Sequence, residues 1–191
     1  VWHCNSGFLR MGIQNRVRET TFYCSLTNLS VSGSLCLEGK EIPVTGKGWF
    51  DKQGGPFNML NFSTHWEWFS LRFFDNEEMM LFSFPQDDYQ DGTYIRSNGS
   101  YSRLNRYEIR PTNYTTVQDL KFSSGWTLKV PGIRNEEYRI EPLIPGQLNF
   151  AYFELLAGIY HGSDLQGYCF VELLPGVYNK KLSHIMLLDD V

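Results

Sequence analysis

Thr64-His65-Trp66-Glu67-Trp68-Phe69-Ser70-Leu71-Arg72-Phe73-Phe74, the turn Asp75-Asn76-Glu77 and the run Met79-Met80-Leu81-Phe82-Ser83-Phe84 form the stretch that decides the fold. Aromatic and large aliphatic side chains suit a pleated surface. Two such runs flanking a short polar turn read as an antiparallel hairpin. Side chains of an extended strand alternate between its faces. His65, Glu67, Phe69, Leu71 and Phe73 therefore share one face, and Trp66, Trp68, Ser70, Arg72 and Phe74 share the other. Each face combines large aromatics with an ionisable group. That pattern suits a barrel wall lining a ligand cavity, or a two-layer protein whose core the tryptophans fill.

Upstream, Thr20–Leu26, Val31–Leu37 and Ile42–Asp51 read as three short strands, the last two joined by the turn Glu38-Gly39-Lys40-Glu41. Downstream, weaker runs lead to two strong closing ones, Leu148–Tyr160 and Gly167–Leu174. No long segment keeps a helical period, a heptad or a fixed repeat. About a dozen short strands with few helix signals predict an all-β, antiparallel barrel or sandwich. The reading places one domain at residues 19–180 and a tail at 181–191. Residues 1–18 are an arm or the remnant of an upstream domain.

The bulk composition agrees. A chain of 191 residues suits one domain. With 42% hydrophobic and 20% charged residues it can build a core, and its 16% aromatic content favours strands over a helical bundle. A net charge of −4 argues against nucleic acid or an anionic membrane surface as partner. No apolar run approaches the ~18 residues of a membrane helix. The first residues show no basic segment followed by an apolar one, which favours a cytoplasmic location over secretion. Cys4, Cys24, Cys36 and Cys169 have no metal-ligand spacing. Cys24 and Cys36 lie on what read as consecutive strands; two reduced core thiols are favoured over a cross-strand disulfide.

Few residues stand out for chemistry. Asp51 ends an apolar strand, beside Trp49 and Phe50 and just before Gly54-Gly55. A carboxyl group desolvated by aromatic neighbours has a raised pKa and can donate a proton; the same residue can instead cap a turn. Glu154 and Glu172 lie inside the closing runs. Tyr168, Phe170 and Glu172 share a face, opposite Cys169, Val171 and Leu173. An acid in an apolar strand is costly unless paired or protonated, so pairing with Arg72, Arg96 or Arg139 is the favoured reading. No catalytic triad, phosphate loop or metal site is visible.

Phe22-Tyr23-Cys24-Ser25-Leu26-Thr27, Val44-Thr45-Gly46-Lys47-Gly48-Trp49-Phe50-Asp51-Lys52-Gln53, Trp66-Glu67-Trp68-Phe69-Ser70-Leu71, Glu78-Met79-Met80-Leu81-Phe82 and Gly167-Tyr168-Cys169-Phe170-Val171-Glu172-Leu173 occur in that order. As an ordered set over roughly residues 20–178 they resemble the lipocalin-like AttH and carotenoid 1,2-hydratase superfamily. The resemblance implies an antiparallel lipocalin-like β-barrel, similar to the C-terminal one of two tandem domains. It implies a small hydrophobic, isoprenoid-like ligand and no cofactor. The hydratases of this superfamily add water across an isoprenoid double bond, with the Asp of a Gly-Tyr-x-Asp motif as proton donor. Asp51 matches that Asp, and Trp49 stands where the motif has Tyr. The hydratases also use a His and a Trp two residues apart; the matching stretch here is Phe22-Tyr23-Cys24-Ser25, and neither is present. Other members are cyclases that fold a polyene into a reactive shape.

The expected function is ligand binding, with Trp49, His65, Trp66, Trp68, Phe69 and Glu172 around the ligand. The alternative is a cofactor-free hydratase, lyase or cyclase with Asp51 as acid. A third reading is a structural half that needs a partner. A lone barrel from a two-domain family would expose the face its partner covers, so the partner is a second copy or an upstream lipocalin-like domain.

Overall fold

The computed structural model describes residues 1–4, 6–10, 20–55, 66–84, 88–117, 120–144, 147–149 and 152–174. All regular structure among them is antiparallel β. The strands are β1 (Phe8–Arg10), β2 (Thr20–Leu37), β3 (Lys40–Gly54), β4 (Trp66–Phe73), β5 (Glu78–Phe84), β6 (Tyr89–Ile95) and β7 (Tyr101–Arg103). They continue with β8 (Glu108–Val117), β9 (Leu120–Val130), β10 (Arg134–Pro142), β11 (Gln147–Asn149), β12 (Tyr152–His161) and β13 (Asp164–Leu174).

The deciding stretch folds as the predicted hairpin. β4 pairs with β5 in the register Trp68↔Phe82, Ser70↔Met80 and Arg72↔Glu78. Asn76 takes the left-handed conformation at the turn (φ 65°), and the Asp75 carboxylate accepts the Glu77 amide at 3.1 Å. Thr64 and His65 fall outside the described residues.

The upstream segment differs from its reading in two ways. Thr20–Leu26 and Val31–Leu37 are one continuous strand, β2, whose register against β3 shifts between Leu26 and Leu29. An extra residue absorbed in a bulge flips the alternation without ending the strand, so Thr27-Asn28 reads as a break in sequence. Glu38 and Gly39 both have positive φ (51° and 77°), which closes β2 onto β3 with a two-residue loop. Second, β2 and β3 do not join the barrel sheet. With β1 they form a three-stranded sheet, while the remaining strands form a ten-stranded sheet in the order β7-β6-β5-β4-β13-β12-β10-β9-β8, with β11 on β12. Cys24 and Cys36 therefore share one strand, about 40 Å apart at the usual strand rise, and all four cysteines are free.

The large sheet curls so that distant strands meet across its inner face. Phe69 on β4 makes an edge-to-face contact with Trp126 on β9 at 5.3 Å between ring centres, although β13, β12 and β10 lie between those strands. Glu67 crosses the same interior. Its carboxylate accepts from Ser123 Oγ at 2.6 Å and Trp126 Nε1 at 2.9 Å. Burial raises its pKa against those two hydrogen bonds. Around them pack Leu71, Phe73, Met79, Leu128, Ile140, Phe153 and Val171, all nearly sealed from solvent. The curled sheet is filled by its own side chains.

The outer face of β4 and β5 is also covered, which explains why β4 is aromatic on both sides. Trp66, Trp68, Met80, Phe82 and Phe84 pack with Cys4, Leu9, Tyr23 and Leu174 into a second core. The cover is the base of the β2–β3 hairpin together with the N-terminal residues. Residues 1–4 and 8–10 are thus integral to the fold, through β1 on β2 and a Trp2–Cys24 bridge. Arg72 clamps the hairpin down. Its Nε pairs with Glu78 at 2.8 Å, and its Nη2 donates to the Thr27 carbonyl and to the Gly48 carbonyl.

Candidate functional site

A cleft of about 900 Å³ opens where β3 crosses the outer face of β4, β13 and β12. Register alone builds its floor: Trp68 lies opposite Glu172, Ser70 opposite Phe170 and Arg72 opposite Tyr168. These are the outward members of two alternating strands. Trp49 and Asp51 come from β3, Leu156 from β12 and Phe74 from the β4–β5 turn. Trp49 meets Trp68 edge to face at 6.2 Å, and Phe74 meets Tyr168 likewise at 5.6 Å. The walls are therefore aromatic, with carboxylates at one end.

Asp51 organises that end. It lies directly across from Ser25 in the β2–β3 ladder. Its Oδ1 accepts from Ser25 Oγ and from Trp49 Nε1 at 2.7 Å. Its Oδ2 accepts from Tyr23 Oη at 2.9 Å, and that phenol accepts from Trp68 Nε1 at 2.8 Å. Burial raises the Asp51 pKa despite the three donors, and raises that of Tyr23 well above its ordinary value.

Behind Ser25 stands a fully buried imidazole. His3 Nε2 is 2.5 Å from Ser25 Oγ, and its Nδ1 is 3.0 Å from Thr93 Oγ1. Burial drives the His3 pKa down to about 3, so the ring is neutral and carries one proton. Thr93 Oγ1 already accepts the Cys4 amide at 3.2 Å and can donate to Nδ1. Ser25 gives its proton to Asp51 and must receive one from Nε2. The result is a one-way chain from the Cys4 amide through Thr93, His3 and Ser25 to Asp51.

Glu172 shares the cleft. Burial, then the charges of Glu154 and Asp51, push its pKa up to about 7. Glu154 lies directly opposite Glu172 on β12. The expected pairing of these acids with Arg72, Arg96 or Arg139 is not found: Arg72 pairs with Glu78, Arg139 with Glu141, and Arg96 sits over the Tyr94 ring. Those arginines are committed to partners on their own or adjacent strands.

The structure brings Trp49, Asp51, Trp68 and Glu172 to one cleft. Trp66 lies outside its lining, buried against Phe82. Phe69 faces the opposite way, into the interior against Trp126, because its odd position in β4 puts it on the inner face. His65 is outside the described residues. Sequence reasoning missed His3, Tyr23 and Ser25. The i, i+2 spacing of Tyr23 and Ser25 was a usable signal, since it sets both on one strand face. Nothing local marked His3. Among the described residues no group of three or more His, Cys, Asp or Glu side chains is placed to hold a metal ion, and no helix is long and apolar enough to cross a membrane.

An all-β protein with a curled antiparallel sheet and a carboxylate at the end of an outer aromatic cleft is the class these observations define. The chain belongs to the AttH-like family, whose model matches residues 1–176. Its fold is similar to that of an AttH protein from Nitrosomonas europaea in a crystal structure, with a TM-score of 0.73 at 20% identity. The match covers 89% of this chain and 56% of that one, so the chain spans little more than half of that protein's length. No curated protein has significant sequence similarity to it.

Proposed function

We propose that this lipocalin-like domain binds a small, largely apolar ligand in the outer cleft, an isoprenoid-like chain being the class that fits. The observation carrying the reading is the pairing of aromatic walls with one fixed polar head, Asp51, whose three donors hold its carboxylate in place. Ligand sites typically span ~300–1,000 Å³ and combine apolar walls with few polar groups; this cleft, at about 900 Å³, lies in that range. Retinol fluorescence titration of the purified chain tests it. Saturable binding is expected, and Ser70→Phe, which fills the cleft floor, is expected to abolish it. Absence of saturable binding, or binding indifferent to Ser70→Phe, overturns the proposal.

A second reading is a cofactor-free hydratase, lyase or cyclase in which Asp51 donates a proton to a polyene. Its support is the raised pKa of Asp51, beside a second acid, Glu172, poised at about 7. Turnover of a bound polyene that Asp51→Asn removes while affinity persists would establish it over simple binding.

A further inference from the structure

The outer cleft has two unlike ends. Lys47, Trp49 and Asp51 alternate onto one face of β3, and all three line it. At ~3.3 Å per residue the Lys47 and Asp51 backbones lie about 13 Å apart. The floor runs the same way. Trp68 opposite Glu172 lies toward Asp51, Ser70 opposite Phe170 lies midway, and Arg72 opposite Tyr168 lies toward Lys47. Hydrogen bonds fix this alignment at both ends. Tyr23 Oη joins Trp68 Nε1 to Asp51 Oδ2, and Arg72 Nη2 reaches the carbonyl of Gly48, the residue after Lys47, at 3.3 Å.

The charges at the two ends are opposite. Asp51 and Glu172 stand at one, and Glu172 already feels the charges of Glu154, across from it, and of Asp51. A further anion placed there meets like charge. At the other end Arg72 gives its Nε to Glu78 and its Nη2 to two carbonyls, and its Nη1 has no hydrogen-bond partner among the described residues. Lys47 faces the neutral Ser30 in the ladder and pairs with no carboxylate among the described residues. A lysine lays its stem along apolar surface while the ammonium stays in water, which suits a rim position above aromatic walls. The two ends also differ in how their charge is met. The Asp51 carboxylate has three donors, and Glu172 can take up a proton; Lys47 has neither recourse.

We infer that the ligand of this cleft is an apolar chain ending in a carboxylate, held with the carboxylate at Lys47 and Arg72 and the remote end of the chain against Trp68 and Asp51. This rests on the reading of the cleft as a site for an apolar ligand, and adds the head group and the direction of the chain. The aromatic side chains between the two ends, Trp49 and Phe170 among them, take the apolar part. The acids at the far end oppose the reversed orientation. A neutral alcohol with the same chain gains nothing from Lys47, and an amine would have to lie the other way round.

Retinol, retinoic acid and retinylamine share one polyene and differ in the head group. Quenching of tryptophan fluorescence by each, at low and high salt, tests the inference, because Trp49 and Trp68 report occupancy of the cleft. Retinoic acid should bind roughly fivefold tighter than retinol at low salt, the upper range for an exposed charge pair, and salt should shrink that advantage. Lys47 is exposed, so Lys47→Met should bring the acid down to the alcohol's affinity, and Lys47→Glu should drive it below. Melting should stay unchanged in both variants, which separates loss of the head-group contact from loss of folding. Saturable retinol binding with the acid no tighter, an amine that binds tightest, or an acid advantage that survives Lys47→Met overturns the inference and leaves the apolar-ligand reading standing. Saturable binding of none of the three overturns both.

Discussion

Ser25 lies directly opposite Asp51 on the adjoining strand, and its hydroxyl bridges the buried His3 imidazole to the Asp51 carboxylate at the end of the cleft. Every donor around Asp51 therefore points inward at a group built to accept. Asp51→Asn keeps the shape but turns one acceptor into a donor that faces Ser25 and Trp49, or Tyr23. A buried polar group left without a partner costs ~1–3 kcal/mol. Asp51→Asn should lower the melting temperature, with ligand affinity changed only modestly under the binding reading. Under the catalytic reading turnover should drop by roughly 100-fold or more, as loss of a general acid does. Calorimetric melting and titration on one preparation separate these effects. A variant unchanged in stability would show that the network around Asp51 contributes nothing.

His3 predicts an acid limb of the stability curve. Its folded pKa of about 3 lies below the ~6.5 of an exposed histidine. Between those values the unfolded chain binds a proton that the folded chain refuses, so stability rises with pH across that window and is complete above it. His3→Asn should cost stability at pH 8, through the lost bonds to Ser25 and Thr93. It should also flatten the acid limb between about 3 and about 4.3, and unmask above it the opposing fall set by Glu172. Urea midpoints across that range check both, and an unflattened limb would sink the assignment.

Much of this fold was legible because it follows from alternation. The β4–β5 hairpin and the split of β4 into two faces were readable from Thr64–Phe84, since any strand covered on both sides must be apolar on both sides. Which covering lay on which side was not readable. Phe69 and Trp68 are equivalent as sequence, and only the curling of the sheet puts one against Trp126 and the other beside Trp49. The β2 bulge was illegible for a related reason: one extra residue reverses the alternation and imitates a turn. Asp51 was found through its neighbours Trp49 and Phe50, whereas His3 reaches it only through Ser25, a contact made across 22 residues of sequence. Long-range hydrogen bonds of this sort leave no local pattern.

The inner and outer faces of β4 should respond differently to truncation. Phe69 is fully buried against Trp126, so Phe69→Ala opens a core cavity and should cost ~3–5 kcal/mol. Trp49 is half-buried at the cleft, and Trp49→Ala should cost considerably less while weakening ligand binding. Equal destabilisation by the two variants in urea titration would contradict the filled interior.

Glu172 gives the prediction with the clearest sign. Burial and the charges of Glu154 and Asp51 hold its folded pKa at about 7, above the ~4.3 of a free glutamate. Below the unfolded value both states are protonated and the residue costs nothing. As pH rises through that window the unfolded chain loses its proton first, so folding becomes progressively less favourable, and above about 7 the penalty is complete. Glu172→Gln removes the penalty while keeping the side chain's size. It should leave stability unchanged near pH 4 and raise it at pH 8 by something on the order of 2 kcal/mol, allowing for partial solvent screening. This slope opposes that of His3 and cancels it where their windows overlap, from about 4.3 to about 6.5, so these two groups should leave the wild-type curve flat there, and the Gln variant should instead keep rising to about 6.5. Ligand affinity carries a second signature. An apolar ligand is accommodated more easily beside a neutral Glu172 than beside a third clustered charge, so wild-type affinity for retinol should weaken as pH rises through 7, and the Gln variant should lose that dependence. Melting and fluorescence titration at matched pH values read both effects. A variant destabilised at pH 8, or one whose affinity still falls across neutral pH, would show that Glu172 does not titrate in the cleft.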